Sequence, residues 1–279
     1  ELYVYDIATG ARTKVDVGDE SDQYIPRIGW TPRGELYFFR ENRLQNHFEV
    51  LLASTDGASR VIYDERSPRY VERVDDRTVT FLADGDRFVV RNETESGYMH
   101  LYLYSASRGR LRALTEGAWE VTEVVEVTDE RVYYISTETS PLRRNLYSVK
   151  LNGRDKRRIT ERDGMYRIAP SRGMRYYISY FSSADDPQTV TLHRADGSLV
   201  RVLEDNADYV KATIDLPRKE FFTFTTERGD RLNGYMVRPS DFDKTKKYPV
   251  LMTQYSGPGS QSVADSWVLG WEDAMVQNG

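Results

Sequence analysis

Histidine and cysteine, two residue types on which nucleophilic hydrolysis often depends, are scarce or missing in this chain. It has 279 residues, no cysteine and three histidines, His47, His100 and His193. A hydrolytic serine needs a histidine base and an orienting aspartate, and in α/β-hydrolases it lies in a G-x-S-x-G turn between a strand and a helix. No such motif occurs here. We therefore expect the histidines to be packing or surface residues, and we predict no metal site and no cofactor.

Tyr255 is the main candidate for a chemical role. It follows an almost continuously apolar run from Tyr248 to Gln254, a pattern typical of a strand covered on both faces. The next residues, Ser256 to Gln261, have the glycine and proline content of a loop. A hydroxyl at this place can donate to an oxygen that becomes negative in a tetrahedral intermediate. A strand-end tyrosine can also be purely structural, and the residues alone leave both roles open.

A repeated hairpin organises the chain before this region. Five strand-like segments end at a turn glycine, and each is followed by a second strand in which basic residues alternate with aliphatic ones. The turn glycines are Gly10, Gly57, Gly109, Gly153 and Gly197. Their spacing is roughly 40–50 residues, which is the length of one propeller blade. We expect Gly57 and Gly153 to lie at exposed turns.

Further strands are predicted between the hairpins, giving about four strands per period. These segments are 35–40, 87–90, 131–135 and 175–179. Four strands in such a period predict β-propeller blades, whereas an antiparallel sandwich would show regular strands without a blade period. We therefore predict a mainly β fold in which residues 1–213 form about four to five blades of four-stranded antiparallel sheets.

The pattern changes after Asp215. Strands are predicted over 221–226, 232–238 and 248–255, and a helix over 265–277. A buried strand, a glycine loop and a helix in this order are the start of an α/β unit. Residues 214–279 are therefore predicted to be the first strands and helix of a second, α/β domain.

Several segments resemble the dipeptidyl peptidase IV family of the prolyl oligopeptidase clan. The most specific is Lys247 to Gln261, KYPVLMTQYSGPGSQ, which resembles the opening of that family's catalytic domain. Other similar segments follow in family order: Asn42–Asn46, Glu95–Leu101, Gly117–Val121, Tyr133–Ser136, Arg144–Tyr147 and Arg201–Asn206. Any one of these is weak, but together they cover nearly the whole chain.

The resemblance implies an eight-bladed propeller, an α/β-hydrolase domain and a serine exopeptidase that releases N-terminal X-Pro or X-Ala dipeptides. It implies that Tyr255 donates to the oxyanion, and that the loop from Arg69 to Asp75 faces the substrate cavity. Arg73 is then a weak candidate for contact with a peptide carbonyl, because an exposed arginine at a blade edge is more often a surface residue. The family's amine-binding acidic pair is not matched by Glu72, Glu93 or Glu95.

The net charge and the first residues of the chain lead to further expectations. Basic residues number 39 and acidic residues 44, a net charge of −5 that argues against a nucleic-acid partner. The chain begins with a strand-like run and has no initiator methionine, so we interpret it as a fragment, inactive by itself because the triad lies elsewhere. Peptides are the expected substrates, a homodimer the expected assembly, and the cell envelope or bacterial periplasm the expected location. The alternatives are a noncatalytic propeller that binds partners, or an endopeptidase or acylaminoacyl-peptidase of the same clan.

Overall fold

Antiparallel sheets account for most of the ordered structure. The computed structural model of the chain describes residues 1–72, 75–213, 215–255, 257 and 260–278. Its contacts divide the chain into two compact units. The first contains residues 1–134 and 147–157, and the second contains residues 135–146 and 158–279. Within the described residues, no helix is long and apolar enough to cross a membrane.

The first unit is built from hairpins joined into sheets. Strands β1 (Leu2–Tyr5) and β2 (Arg12–Val15) form a hairpin of their own. The next sheet joins β3 (Gln23–Tyr24), β4 (Ile28–Trp30), β5 (Leu36–Asn42), β6 (His47–Ala53) and β7 (Ser59–Arg66). Both β3 and β4 pair with β5, so together they occupy one edge of that sheet. Pro26 lies between them, where its missing N–H cannot continue the ladder.

Two four-stranded sheets follow along the chain. One contains β8 (Val79–Phe81), β9 (Arg87–Asn92), β10 (His100–Ser105) and β11 (Gly109–Ala113). The other contains β12 (Val121–Val127), β13 (Arg131–Ser136), β14 (Asn145–Lys150) and β15 (Arg157–Arg158), and most of it belongs to the first unit. Each has the strand number and antiparallel order that the sequence predicts for a blade.

Apolar clusters lie between successive sheets of the first unit. One joins Phe48 and Val50 of β6 to Phe88 and Val90 of β9. The next joins the β8–β11 sheet to the β12–β15 sheet, with Leu101 and Tyr134 fully buried. Burying one such large side chain contributes about 1.5–3 kcal/mol. These sheets are therefore stabilised mainly by face-to-face packing, and their central strands are apolar on both faces.

The predicted hairpin turns are confirmed, with one difference in burial. All five turn glycines have positive φ, which glycine adopts without a steric penalty. Gly153 is exposed as expected, but Gly57 is buried, so the prediction of an exposed turn at Gly57 was wrong. The Gly57 carbonyl accepts a hydrogen bond from the Asp16 N–H at 2.8 Å, and a Cβ on Gly57 would overlap the Lys14 carbonyl oxygen. The turn between β6 and β7 is thus packed against β2.

The second unit contains one further four-stranded sheet and a separate hairpin. The sheet joins β16 (Met165–Pro170), β17 (Tyr176–Ser182), β18 (Thr189–Arg194) and β19 (Leu199–Glu204). A 3₁₀ turn over Arg172–Met174 connects its first two strands. Helix α1 (Ala207–Thr213) follows, and then β20 (Glu220–Thr225) pairs with β21 (Arg231–Met236). The last element is helix α2 (Trp271–Gln277).

Two predictions about the end of the chain were wrong. Residues 248–255 are not a strand, and Val250 and Met252 are 87% and 82% exposed. Backbone groups form a strand only when a neighbouring strand pairs with them, and among the described residues this run belongs to no sheet. The predicted helix over 265–277 is limited to α2, because Asp265 and Trp267 precede it and make tertiary contacts instead.

We predict that Gly57→Ala destabilises the first unit more than Gly109→Ala does. Both glycines have positive φ, so alanine costs about 1–2 kcal/mol at either turn. Only Gly57 faces a neighbouring backbone, because nothing lies within 4 Å of a Cβ built on Gly109. Urea unfolding followed by tryptophan fluorescence should show a larger loss of unfolding free energy for Gly57→Ala. Equal losses in the two variants would show that the contact between Gly57 and β2 contributes nothing.

Candidate functional site

Tyr255 is presented to solvent by the segment that precedes it. Its side chain is 70% exposed, and residues 249–255 have no regular structure. The ring lies over Gly257, since a Cβ built on that glycine would be 2.8 Å from the Tyr255 hydroxyl oxygen and 2.9 Å from the ring. Glycine at 257 therefore leaves room for the ring. Ser256, Pro258 and Gly259, which the sequence assigns to the same loop, lie outside the described residues.

Arg73, the second candidate, lies outside the described residues. The structure describes its loop only at the two ends. Before it, the buried Val71 donates its N–H to the Gln45 carbonyl at 2.8 Å. After it, the Asp75 carboxylate accepts bonds of 3.1 and 3.0 Å from the Arg91 guanidinium. The loop is therefore fastened to the first unit on both sides of Arg73.

A buried carboxyl group lies close to this loop in sequence and structure. Glu65 at the end of β7 is 5% exposed and accepts hydrogen bonds from the Tyr63 hydroxyl at 2.7 Å and the Thr94 hydroxyl at 2.5 Å. The Asn92 side chain donates to the Tyr63 hydroxyl at 2.6 Å. Burial raises the pKa of Glu65, and its hydrogen bonds only partly oppose that effect. Sequence reasoning missed this network, because its members come from two different sheets.

Glu93 lies near several other acidic side chains. Its pKa is raised first by burial and then by the negative charges of Glu72, Glu120 and Glu65. The pKa of the Tyr70 hydroxyl is also raised, chiefly by Glu72. Carboxylates that repel one another make this part of the first unit electronegative, and a cationic group placed here would be stabilised.

Two of the three histidines have structural partners in the sheets. His100 is 1% exposed, with its ring nitrogens 3.0 Å from the Thr115 hydroxyl and 2.9 Å from the Gly117 carbonyl. His193 lies 2.9 Å from the Gly197 carbonyl and stacks on Tyr177. The prediction that these histidines are packing residues agrees with these contacts.

His47 belongs to a charged ladder across three strands. Arg40 of β5 opposes Glu49 of β6, and Glu49 opposes Asp64 of β7. The His47 Nε2 atom is 2.7 Å from Asp64 and 3.7 Å from Glu49, a set that could hold a metal ion within the described chain. However, Arg40 pairs with Glu49 at 2.7 Å and Arg66 with Asp64 at 3.3 Å. Because both carboxylates already have cationic partners, we assign the group to cross-strand ion pairing.

We predict that Glu93→Gln stabilises the chain at pH 7 but not at pH 4. A raised pKa means that folding favours protonated Glu93, so this favourable contribution is present below about pH 4.5 and is lost as the pH rises through the folded-state pKa. Glutamine removes the charge that destabilises the folded state at pH 7. We therefore expect the free energy of unfolding to rise by about 0.5 kcal/mol at that pH. Thermal unfolding at both pH values measures this change in stability, with Glu227→Gln at an exposed turn as the control. A gain that is independent of pH would contradict this assignment.

Comparisons with known proteins cover nearly the whole chain. Residues 1–188 match the family model described as the dipeptidyl peptidase IV (DPP IV) N-terminal region. A dipeptidyl peptidase 4 from Bos taurus is 28% identical over 271 residues, which are 90% of this chain and 35% of that protein. A dipeptidyl peptidase 4 from Arthroderma otae is 26% identical over 288 residues, or 96% of this chain and 36% of that protein.

A solved structure agrees with these sequence matches. The crystal structure of Porphyromonas gingivalis dipeptidyl peptidase 4 superposes with a TM-score of 0.94 at 34% identity, covering 99% of this chain and 40% of that one. The chain thus spans between about a third and two fifths of the length of these relatives. The sheets of β3–β7, β8–β11, β12–β15 and β16–β19 are accordingly blades of a propeller, as the repeat predicts. This chain belongs to the dipeptidyl peptidase IV family and contains its N-terminal propeller region.

Proposed function

We propose that this chain is part of a serine-type dipeptidyl peptidase that removes N-terminal X-Pro or X-Ala dipeptides from peptides. The observation that carries the proposal is the family match over residues 1–188, followed in the same chain by Tyr255 with an exposed ring. The relatives are named dipeptidyl peptidases, which supports a peptidase and peptide substrates. The serine, aspartate and histidine of the triad would come from residues outside this chain.

The proposed role of Tyr255 is to stabilise the oxyanion. When a serine attacks a peptide carbonyl, the carbonyl oxygen becomes negative, and a donor already in place lowers the energy of that state more than that of the substrate. The Tyr255 phenol is a suitable donor, because its ring lies over Gly257 while most of its surface remains open to a ligand.

The apolar surface of residues 215–278 supports the proposal that this region belongs to a larger catalytic domain. Phe222 and Phe224 of β20 are 43% and 49% exposed, and Leu251 and Met252 of the following segment are 61% and 82% exposed. The Phe222 and Phe224 rings are neighbours, with centroids 6.2 Å apart, and adjoining exposed apolar side chains mark surfaces that other protein covers. We propose that the remaining part of an α/β-hydrolase domain covers them and pairs with residues 248–255 as a strand. Homodimerisation and location in the cell envelope belong to the same proposal.

We predict that the 279-residue chain alone does not hydrolyse a glycyl-prolyl chromogenic substrate. The physical reason is that no serine is hydrogen-bonded to a histidine among the described residues, so no pair is arranged for proton transfer. His47 pairs with Asp64, while His100 and His193 are held by structural partners. Release of the chromophore measures this directly. Turnover that copurifies with the chain through successive columns, and that is absent from a mock preparation, would contradict the prediction.

We predict that Tyr255→Phe in the longer protein lowers kcat by roughly 10²–10³, equivalent to about 2.7–4 kcal/mol, with little change in KM. Phenylalanine retains the ring that packs over Gly257 and deletes only the donor. Steady-state kinetics with a slow amide substrate provide the measurement. Tyr176→Phe, at another exposed tyrosine, is the matched control and should leave kcat unchanged. A folded Tyr255→Phe variant with the parental kcat would make Tyr255 a structural residue.

A further inference from the structure

The turn of the last hairpin in each of three sheets lies against the strand that ends the preceding sheet. The turn at Gly57 lies against β2 in this way, as described above. A Cβ built on Gly153, between β14 and β15, would be 3.3 Å from the carbonyl oxygen of Ala113, the last residue of β11. A Cβ built on Gly197, between β18 and β19, would be 2.6 Å from the carbonyl oxygen of Ile159, which directly follows β15. Glycine at these turns therefore allows successive sheets to approach each other closely.

Arginine side chains also join successive blades at these turns. The Nη1 atom of Arg60, in β7, donates to the Ala106 carbonyl at 2.7 Å, in the turn between β10 and β11. The Nη1 atom of Arg112, in β11, donates to the Asn152 carbonyl at 2.9 Å, in the turn between β14 and β15. The two bonds join residues 46 and 40 positions apart. The last strand of one blade thus binds a backbone acceptor in the turn of the next blade.

The two arginines occupy equivalent places in their strands. Each lies opposite a leucine of the preceding strand, in the pairs Arg60–Leu52 and Arg112–Leu103. Arg201 of β19 also lies opposite a leucine, but β19 is followed by α1 and not by a further sheet of this chain. The Arg201 side chain is exposed and has no hydrogen-bond partner among the described residues. The arginine in this place is therefore bonded where a later blade supplies a turn.

The turn that accepts such a bond depends on it more than the strand that supplies it. The β11 backbone is paired with β10 from Gly109 to Ala113, and losing a side chain leaves this ladder in place. The Asn152 carbonyl lies beyond its own ladder, next to the short-range bond from the Gly153 N–H to the Lys150 carbonyl at 2.8 Å. A charged donor makes a stronger hydrogen bond than a neutral one, although exposure to water reduces its contribution.

We propose that Arg60 and Arg112 form a one-way coupling between blades, in which the last strand of one blade fixes the turn of the next. Loosening β11 releases the turn between β14 and β15, whereas loosening that turn leaves β11 in its ladder with β10. Local opening therefore spreads from a blade to the one that follows it in the chain. This coupling gives a role to basic residues that alternate with aliphatic ones in the last strands, and it does not depend on the proposed peptidase activity.

Hydrogen–deuterium exchange of the 279-residue chain tests the coupling at β11. In Arg112→Gln, we expect peptides covering 148–156 to exchange about three- to tenfold faster, because the Asn152 carbonyl loses its charged donor. Arg110→Gln is the matched control, since Arg110 lies in the same strand but pairs at 2.8 Å with Glu95 of its own blade. It should leave exchange in 148–156 unchanged. Equal acceleration in the two variants, or none in Arg112→Gln, would overturn the proposal.

The same measurement at β7 tests the direction of the coupling. Arg60→Gln should accelerate exchange in peptides covering 104–110, in the next blade, and leave the turn at 54–58 in its own blade at the parental rate. Acceleration at 54–58, or none at 104–110, would contradict a one-way coupling. Arg201→Gln should leave all of these peptides unchanged, because Arg201 holds no turn of this chain. Faster exchange in Arg201→Gln would show that lost surface charge, and not a lost bond between blades, causes the effect.

Discussion

Face-to-face burial of one sheet against the next is the constraint on which the first unit depends. Strands such as β6 and β9 must be apolar on both faces, because a neighbouring sheet covers each side. Charged side chains within these layers consequently occur with partners, as Arg91 does with Asp75 and as Glu65 does with the Tyr63 and Thr94 hydroxyls. The same constraint acts on turns, since Gly57 must be small enough for its hairpin to pack against β2.

Packing occupies the faces of the sheets, and the two candidate residues lie between elements of secondary structure. Arg73 falls between β7 and β8 in the sequence, and Tyr255 between β21 and α2. Val71 and Asp75 connect the first of these segments to packed structure, whereas Tyr255 follows an exposed run. Asp265, ten residues after Tyr255, accepts hydrogen bonds from the Arg143 Nε and the Ala184 N–H.

The sequence predicts features that are encoded locally and misses those that depend on distant partners. The hairpins were predictable because a turn glycine and strand alternation lie within a few residues of each other, as at Gly153 between β14 and β15. The burial of Gly57 was not predictable, because Lys14, whose carbonyl lies against this glycine, is distant in sequence. Residues 248–255 have the composition of a buried strand, but composition cannot supply the neighbouring strand that its backbone needs. The Asp265 contacts join residues 81 and 122 positions apart, beyond the reach of any periodicity.

The proposed activity of the longer protein is the removal of dipeptides from the N-termini of peptides. The most direct measurement is mass spectrometry of the products after the longer protein has acted on a peptide with proline at its second position. We expect loss of a single N-terminal dipeptide, and no cleavage when the amino group is acetylated. Cleavage at internal bonds, release of an acylated residue, or an intact peptide after binding to the protein would contradict it.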